Sequence, residues 1–206
     1  MSDLLDNLST ADQLMVRQRR ELAELFGFES RNKYSITLSD GREIGFAAEQ
    51  QKGFLGVLLR QLLGHWRTFE IHIFDSARQL ALRAVHPFRL LFQRLEIYDA
   101  GGRLVGALQQ RFALFSKRFD VLDAHDRVLM NVRSPFWRLW TFPFEKAGRQ
   151  VAVVEKKWTG LLAEAFTDKD TFRVALNDPS LTPQERQLVL AASLFVDLQY
   201  FERKAE

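Results

Sequence analysis

The segment from Leu188 to Phe201 most limits what this chain can become. It reads Leu-Val-Leu-Ala-Ala-Ser-Leu-Phe-Val-Asp-Leu-Gln-Tyr-Phe and has no clear polar stripe. A helix that is apolar nearly all round is buried, in protein or in a bilayer. The run is fourteen residues long, and Asp197 interrupts it. Spanning a bilayer takes roughly 20 mostly apolar residues, and Asp at mid-membrane costs at least about 2.5 kcal/mol. Length therefore favours a buried core helix over a membrane span. Its start is marked: Thr182 can cap the N–H of Glu185, Glu185 can reach back to Thr182, and Pro183 fits the first helical position. The expectation is a central helix over 183–202, surrounded by the rest of the chain.

What surrounds it reads as a repeat. A short strand ends in an acidic turn, followed by Arg or Gln and a second strand. The copies start at Tyr34, Phe69, Leu95, Phe119 and Phe142, with turns at Asp40-Gly-Arg42, Asp75-Ser-Ala-Arg78, Asp99-Ala-Gly-Gly-Arg103, Asp123-Ala-His-Asp-Arg127 and Glu145-Lys-Ala-Gly-Arg149. Asp75, Asp99 and Asp123 are each 24 residues apart. Gly-containing turns between alternating runs signal hairpins. Five hairpins give ten strands; Lys157 to Phe166 and Thr171 to Leu176 are read as two more. A mainly β fold follows: a twelve-stranded antiparallel barrel, closed around the helix so that no sheet edge is left open. Ahead of it, Ser9 to Phe26 reads as an amphipathic helix. Leu14, Met15, Leu22, Leu25 and Phe26 fall mostly on one face, Arg17, Arg19 and Arg20 crowd the other, and Gly27 is the stop. The division expected is a helical arm over 1–32 and a barrel over 33–206.

In an up-and-down meander the hairpin turns share one end, and the connections between hairpins share the other. Those connections, Lys52 to Trp66, His86 to Arg94, Phe112 to Arg118 and Ser134 to Trp140, are apolar and aromatic, studded with Arg and Lys. Gathered at one end, Phe54, Arg60, Phe88, Arg89, Phe92, Arg94, Arg118, Phe136, Trp137, Arg138 and Trp140 would form an apolar, basic rim. That composition suits a membrane interface, where rings sit at head-group level and cations meet phosphate. The alternative is that these residues plug the barrel end or pack on the N-terminal helix.

The net charge of +3 leans toward anionic partners, either phospholipid head groups or nucleic acid. With no Cys there is no disulfide, thiolate metal site, Cys nucleophile or covalent lipid anchor through sulfur. The acidic start Met1-Ser-Asp-Leu-Leu-Asp lacks the pattern of a secretory signal, so an intracellular protein is expected. No HExxH, GxSxG, P-loop or GxGxxG occurs, and His65, His72, His86 and His125 stand at no ligand spacing. Covalent catalysis has no support. Asp168 and Asp170 open a segment like a calcium loop, with Asp178 near its end. Its sixth position is Arg173 where the turn wants Gly, and its twelfth is Pro179 where it wants Glu. No cofactor is expected beyond weak calcium there.

The chain resembles the phospholipid scramblases of the tubby-like superfamily. The resemblance rests on Asp12-Gln-Leu-Met-Val-Arg-Gln, Glu21-Leu, Gly27-Phe-Glu-Ser, Asn32-Lys-Tyr and Phe46-Ala-Ala-Glu49. It continues through Lys157-Trp-Thr-Gly-Leu-Leu-Ala-Glu-Ala-Phe-Thr-Asp-Lys-Asp170 and Phe195-Val-Asp-Leu-Gln-Tyr-Phe-Glu202. It implies a twelve-stranded barrel around a C-terminal helix and calcium-linked movement of phospholipid between leaflets, or membrane-associated regulation. A peripheral protein on the cytoplasmic face of the plasma membrane, bound to anionic phospholipid, is the location it implies. Where relatives carry a Cys cluster for acylation, this chain has His86-Pro-Phe-Arg-Leu-Leu-Phe-Gln-Arg94. The family's calcium segment corresponds to Asp168 through Pro179, and the departures at Arg173 and Pro179 bear on it as well. The lack of Cys and of the family's Pro-rich arm suits a prokaryotic member. Two rivals remain beside a lipid-binding barrel: a soluble ligand-binding or regulatory barrel, which is the main one, and a nucleic-acid-binding regulator, which Lys156-Lys157 and the basic pI permit, although nucleic acid is not the expected partner.

Overall fold

The computed structural model describes residues 2–19, 32–50, 68–89, 91–135, 137–138, 140–157 and 171–200, with side chains to 198. A short helix α1 (Asp3–Thr10) leads into β1 (Gln13–Gln18). Then follow β2 (Lys33–Leu38), β3 (Glu43–Gln50), β4 (Phe69–Asp75), β5 (Leu80–His86), β6 (Arg94–Asp99) and β7 (Leu104–Gln110). The wall continues with β8 (Ser116–Asp123), β9 (Val128–Pro135), β10 (Thr141–Lys146), β11 (Arg149–Lys157) and β12 (Thr171–Ala175), and the helix α2 (Pro183–Tyr200) closes the described chain. The strands form one closed barrel in chain order, and β1 seals it between β2 and β12. Every pairing is antiparallel.

The recurring Asp has a structural cause. Each one ends the first strand of a hairpin and binds the backbone of the turn after it. Asp99 accepts the Arg103 N–H at 2.9 Å and its Nε–H at 2.7 Å. Asp123 does the same with Arg127 and also takes the His125 N–H, and Asp75 takes the Gln79 N–H. Five of the hairpins carry a register shift just before the turn, at Ile36/Thr37, Ile73/Phe74, Ile97/Tyr98, Val121/Leu122 and Phe144/Glu145. Bulges of this kind bend and twist a strand. Close packing between the wall and the central helix explains Gly106 in β7. A Cβ at that position would collide with the Leu122 carbonyl oxygen and come within 3.0 Å of Leu188 on α2.

The predicted core helix is inside the barrel. Leu188 through Leu198 are all buried, and Phe195 meets Phe119 of β8 edge-on with ring centroids 6.0 Å apart. The expected capping box is present: the Glu185 N–H donates to Thr182 Oγ1 and the Thr182 N–H to Glu185 Oε2. Lys146 reaches the same buried carboxylate at 2.7 Å. Asp197, which broke the apolar run, is fully buried and accepts the Tyr34 hydroxyl of β2 at 2.7 Å. Arg186 donates to the carbonyls of Ala11 and Leu8, tying α2 to the end of α1.

The N-terminal reading needs correction. The helix expected over Ser9 to Phe26 is not what Gln13–Gln18 form: they are β1, a strand of the wall. Leu14 and Val16 are fully buried while Arg17 is exposed, a two-residue alternation that a helical reading hid. The helix in this region is α1, whose Leu4 and Leu8 face inward. The twelfth strand is therefore Gln13–Gln18. Of the strand expected over Lys157 to Phe166, Lys157 ends β11, and the remainder lies outside the described residues.

Candidate functional site

Chain-order pairing divides the barrel's connections between two ends. The turns after β2, β4, β6, β8 and β10 share one end, where α1 also packs: Arg42 donates to Asn7 and Ser76 to Asp3. The connections after β5, β7 and β9 share the other. Their exposed surface is unusual. Phe88, Leu91, Phe92, Phe112, Leu114, Phe115 and Trp137 are all strongly exposed, the last three at 70–75%. Among the described residues only Val128, the first residue of β9 at the turn end, is another large apolar side chain so open to solvent. The three connections are neighbours around the mouth; the Gln110 N–H reaches back to the Gln93 carbonyl at 2.8 Å.

One of these rings is held at a conformational cost. Phe92 has φ 54°, a left-handed backbone that a bulky residue rarely adopts. The Gln109 side-chain amide donates to its carbonyl at 3.0 Å. Left-handed geometry costs a non-glycine residue roughly 1–2 kcal/mol, and such strain concentrates at functional sites.

Of the residues expected in the rim, Phe88, Arg89, Phe92, Arg118, Trp137 and Arg138 are at this end and exposed. Arg94 and Trp140 are not displayed: Arg94 lies on the outer face of β6, covered by its ion pairs, and Trp140 is turned in. Arg94 is 11% exposed and paired with Glu96 at 3.2 Å and Asp126 at 2.6 Å. Trp140 packs against the core with the Lys156 ammonium 5.3 Å from its ring. Phe54, Arg60 and Phe136 lie outside the described residues. Sequence reasoning did not single out Phe112, Leu114 and Phe115, although the signal was there: apolar residues in a connection too short to bury them.

Within the segment likened to a calcium loop, Thr171–Ala175 form β12. Asp178 follows that strand, and Asp168 and Asp170 lie outside the described residues. Five extended residues cover about 16 Å. The Asp178 carboxylate already accepts the Ser180 N–H at 2.8 Å and pairs with Arg149 at 3.2 Å. Hydrogen bonds from Ser180 hold its carboxyl below the usual range, and Arg149 and Lys146 add to that. No group of metal-ligating side chains occurs among the described residues.

Comparison with known proteins now gives the lineage. Human phospholipid scramblase 1 is 28% identical over 213 residues, covering 96% of this chain and 65% of its own. Human phospholipid scramblase 2 is 28% identical, covering 97% and 70%, and a phospholipid scramblase family protein of Schizosaccharomyces pombe is 25% identical, covering 95% and 61%. The chain thus spans about two thirds of the length of these relatives. An X-ray structure of an Arabidopsis thaliana protein matches with TM-score 0.50 and 13% identity over 95% of both chains, a likeness of fold alone. No helix among the described residues is long and apolar enough to cross a membrane. The family model for scramblases matches residues 1–203, and the chain belongs to the scramblase family.

Proposed function

We propose that the connection end docks on anionic phospholipid membranes, and that the protein binds phospholipid there and moves it between leaflets. The observation that carries the reading is the gathering of exposed rings and leucines at one mouth of the barrel. Apolar patches of this kind mark interaction surfaces. The exposed cations Arg89, Arg118 and Arg138 stand among them, and each cation near an anionic surface adds about 1 kcal/mol. The relatives named as phospholipid scramblases supply the second half of the reading. Binding of this kind makes the protein peripheral, on the cytoplasmic leaflet where anionic lipid is found. Covalent chemistry has no part in it.

Co-sedimentation with phosphatidylserine-containing vesicles and with neutral phosphatidylcholine vesicles tests the docking. Binding to the first that weakens with added salt is expected. A wild type that stays in the supernatant with both removes the reading. Fluorescent-lipid quenching by dithionite in reconstituted vesicles then tests movement, and a bleach plateau unchanged by the protein would leave binding without transfer.

A further inference from the structure

Beside the apolar mouth, the outer wall carries an arrangement that stability does not favour. Arg118 of β8 and Arg133 of β9 are directly opposite each other in the register, and both are exposed. Like charges facing across a strand pair destabilise a sheet. Arg111, just after β7, extends the row, since its N–H donates to the Arg118 carbonyl at 2.9 Å. Three arginines thus lie side by side across the wall. The nearest carboxylate, Asp120, is fully used: one oxygen accepts Arg111 Nε–H at 2.6 Å and the other Asn131 at 2.8 Å. Glu145, the register partner of Asn131, makes no ion pair with Arg133. Among the described residues neither Arg118 nor Arg133 has an acidic partner.

Position gives the pair a use. Ser116 and Pro135 are the next pair toward the mouth on the same face, two residues along each strand. Two residues span about 7 Å. The next residues outward are Phe115 and Leu114 on one side and Trp137 on the other, all exposed. If those side chains enter the interface, the two guanidinium groups stand at the depth of lipid phosphates. Guanidinium forks match phosphate oxygens in paired hydrogen bonds, which an ammonium cannot do. We infer that Arg118 and Arg133 form a subsite for the phosphate of an anionic lipid headgroup, with Arg111 as its third, partly neutralised member. The inference rests on the docking reading above and adds its ligand: the bound anion relieves the repulsion between the two side chains.

The test is binding of the full chain to phosphatidylcholine vesicles containing phosphatidic acid, whose phosphate is fully displayed. Arg118→Gln with Arg133→Gln should bind roughly 30-fold more weakly, as two lost cations predict. The same variant should melt no lower than wild type, because the repelling pair is gone. Arg118→Lys with Arg133→Lys keeps the charge and should still lose several-fold. Removing two cations at the other end, Arg103→Gln with Arg127→Gln, should change binding little. Equal losses from both ends, full binding by the Lys pair, or a lower melting temperature with binding unchanged would each overturn the subsite. So would inorganic phosphate that binds equally well without vesicles, since the ligand would then not be a lipid. Wild-type binding that the Gln pair retains sinks this inference and leaves docking intact; no vesicle binding by the wild type sinks both.

Discussion

Single side chains divide here into those that hold the barrel and those that the barrel displays. Phe92 is displayed at a backbone cost, so its replacement should separate the two roles. Phe92→Gly removes the strain at φ 54° and should keep or raise the melting temperature, while weakening vesicle binding through lost apolar burial. A fall in stability with binding intact would make Phe92 a structural residue. Charge and ring contributions should also part. Arg89→Glu should weaken binding to anionic vesicles and make the remainder less sensitive to salt, whereas Trp137→Ala should weaken it without changing the salt dependence. Arg94 is a poor choice for the same experiment, since its guanidinium is committed to Glu96 and Asp126; counting cations in the string could not reveal that. The turn acids belong to the first class. The Arg103 N–H on Asp99 lowers its carboxyl pKa. Burial raises that of Asp123, but hydrogen bonds from Arg127 and His125 outweigh it and leave the net shift downward. A depressed carboxylate pKa stabilises the fold above the unfolded value, near about 4, and that stability is lost as pH falls through the folded value. Melting temperature should therefore drop below about pH 4, and Asp99→Asn with Asp123→Asn should flatten that drop while lowering stability at neutral pH. An unchanged acid limb would assign it to other carboxylates.

At the scale of elements, α2 is the piece on which the wall closes. Leu190→Asp places a charge where every neighbour is buried, and should cost several kcal/mol, enough to unfold the domain. A folded variant with wild-type circular dichroism would mean that this part of the helix is not enclosed. The wall itself is uneven. β9 and β10 share only two register pairs, Phe144↔Val132 and Glu145↔Asn131, although both strands continue toward the mouth. Pro143 in β10 lacks an N–H for the ladder. Hydrogen exchange should accordingly be faster for Arg133, whose N–H faces β10, than for amides at the matching height of β4 and β5. Equal protection would show that water does not reach this seam. The central helix and the five hairpins were legible because their signals are local: capping residues, turn chemistry and two-residue alternation. β1 was not. Gln13–Gln18 is too short to declare a period, and what makes it a strand is the pair of open edges on β2 and β12, brought to it from far along the chain. Within the segment from Asp168 to Pro179, Thr171–Ala175 supplies the other side of that closure. Calcium affinity should then be no tighter than about millimolar by titration calorimetry, and micromolar binding abolished by Asp178→Asn would show the carboxylate leaving Arg149 for a metal.

At the scale of the whole molecule, the mouth was legible in kind but not in membership. Alternating hairpins dictate that the connections gather at one end, and their composition was plain in the string. Which rings are exposed depends on how each short connection crosses the rim, so Phe112, Leu114 and Phe115 emerge only from the structure while Trp140 turns inward. The same closure restricts how lipid could move. The barrel interior is occupied by α2, with Val189, Leu190, Ala192, Leu194, Phe195 and Val196 all at zero exposure. A phospholipid has no room to pass along that axis without displacing the helix, and displacing it would expose the core that stabilises the fold. If the protein moves lipid as proposed, the route must run outside the wall, with the exposed rings perturbing the bilayer and the headgroup staying in the solvated layer beside the protein. A route of that kind does not select on headgroup size. In vesicles where the protein moves a small fluorescent lipid, a lipid whose headgroup carries a bulky hydrophilic polymer should move at a similar rate. A path through the barrel would reject the conjugate completely, so transfer of the small lipid alone would place the route inside and require that α2 leave the barrel during transport.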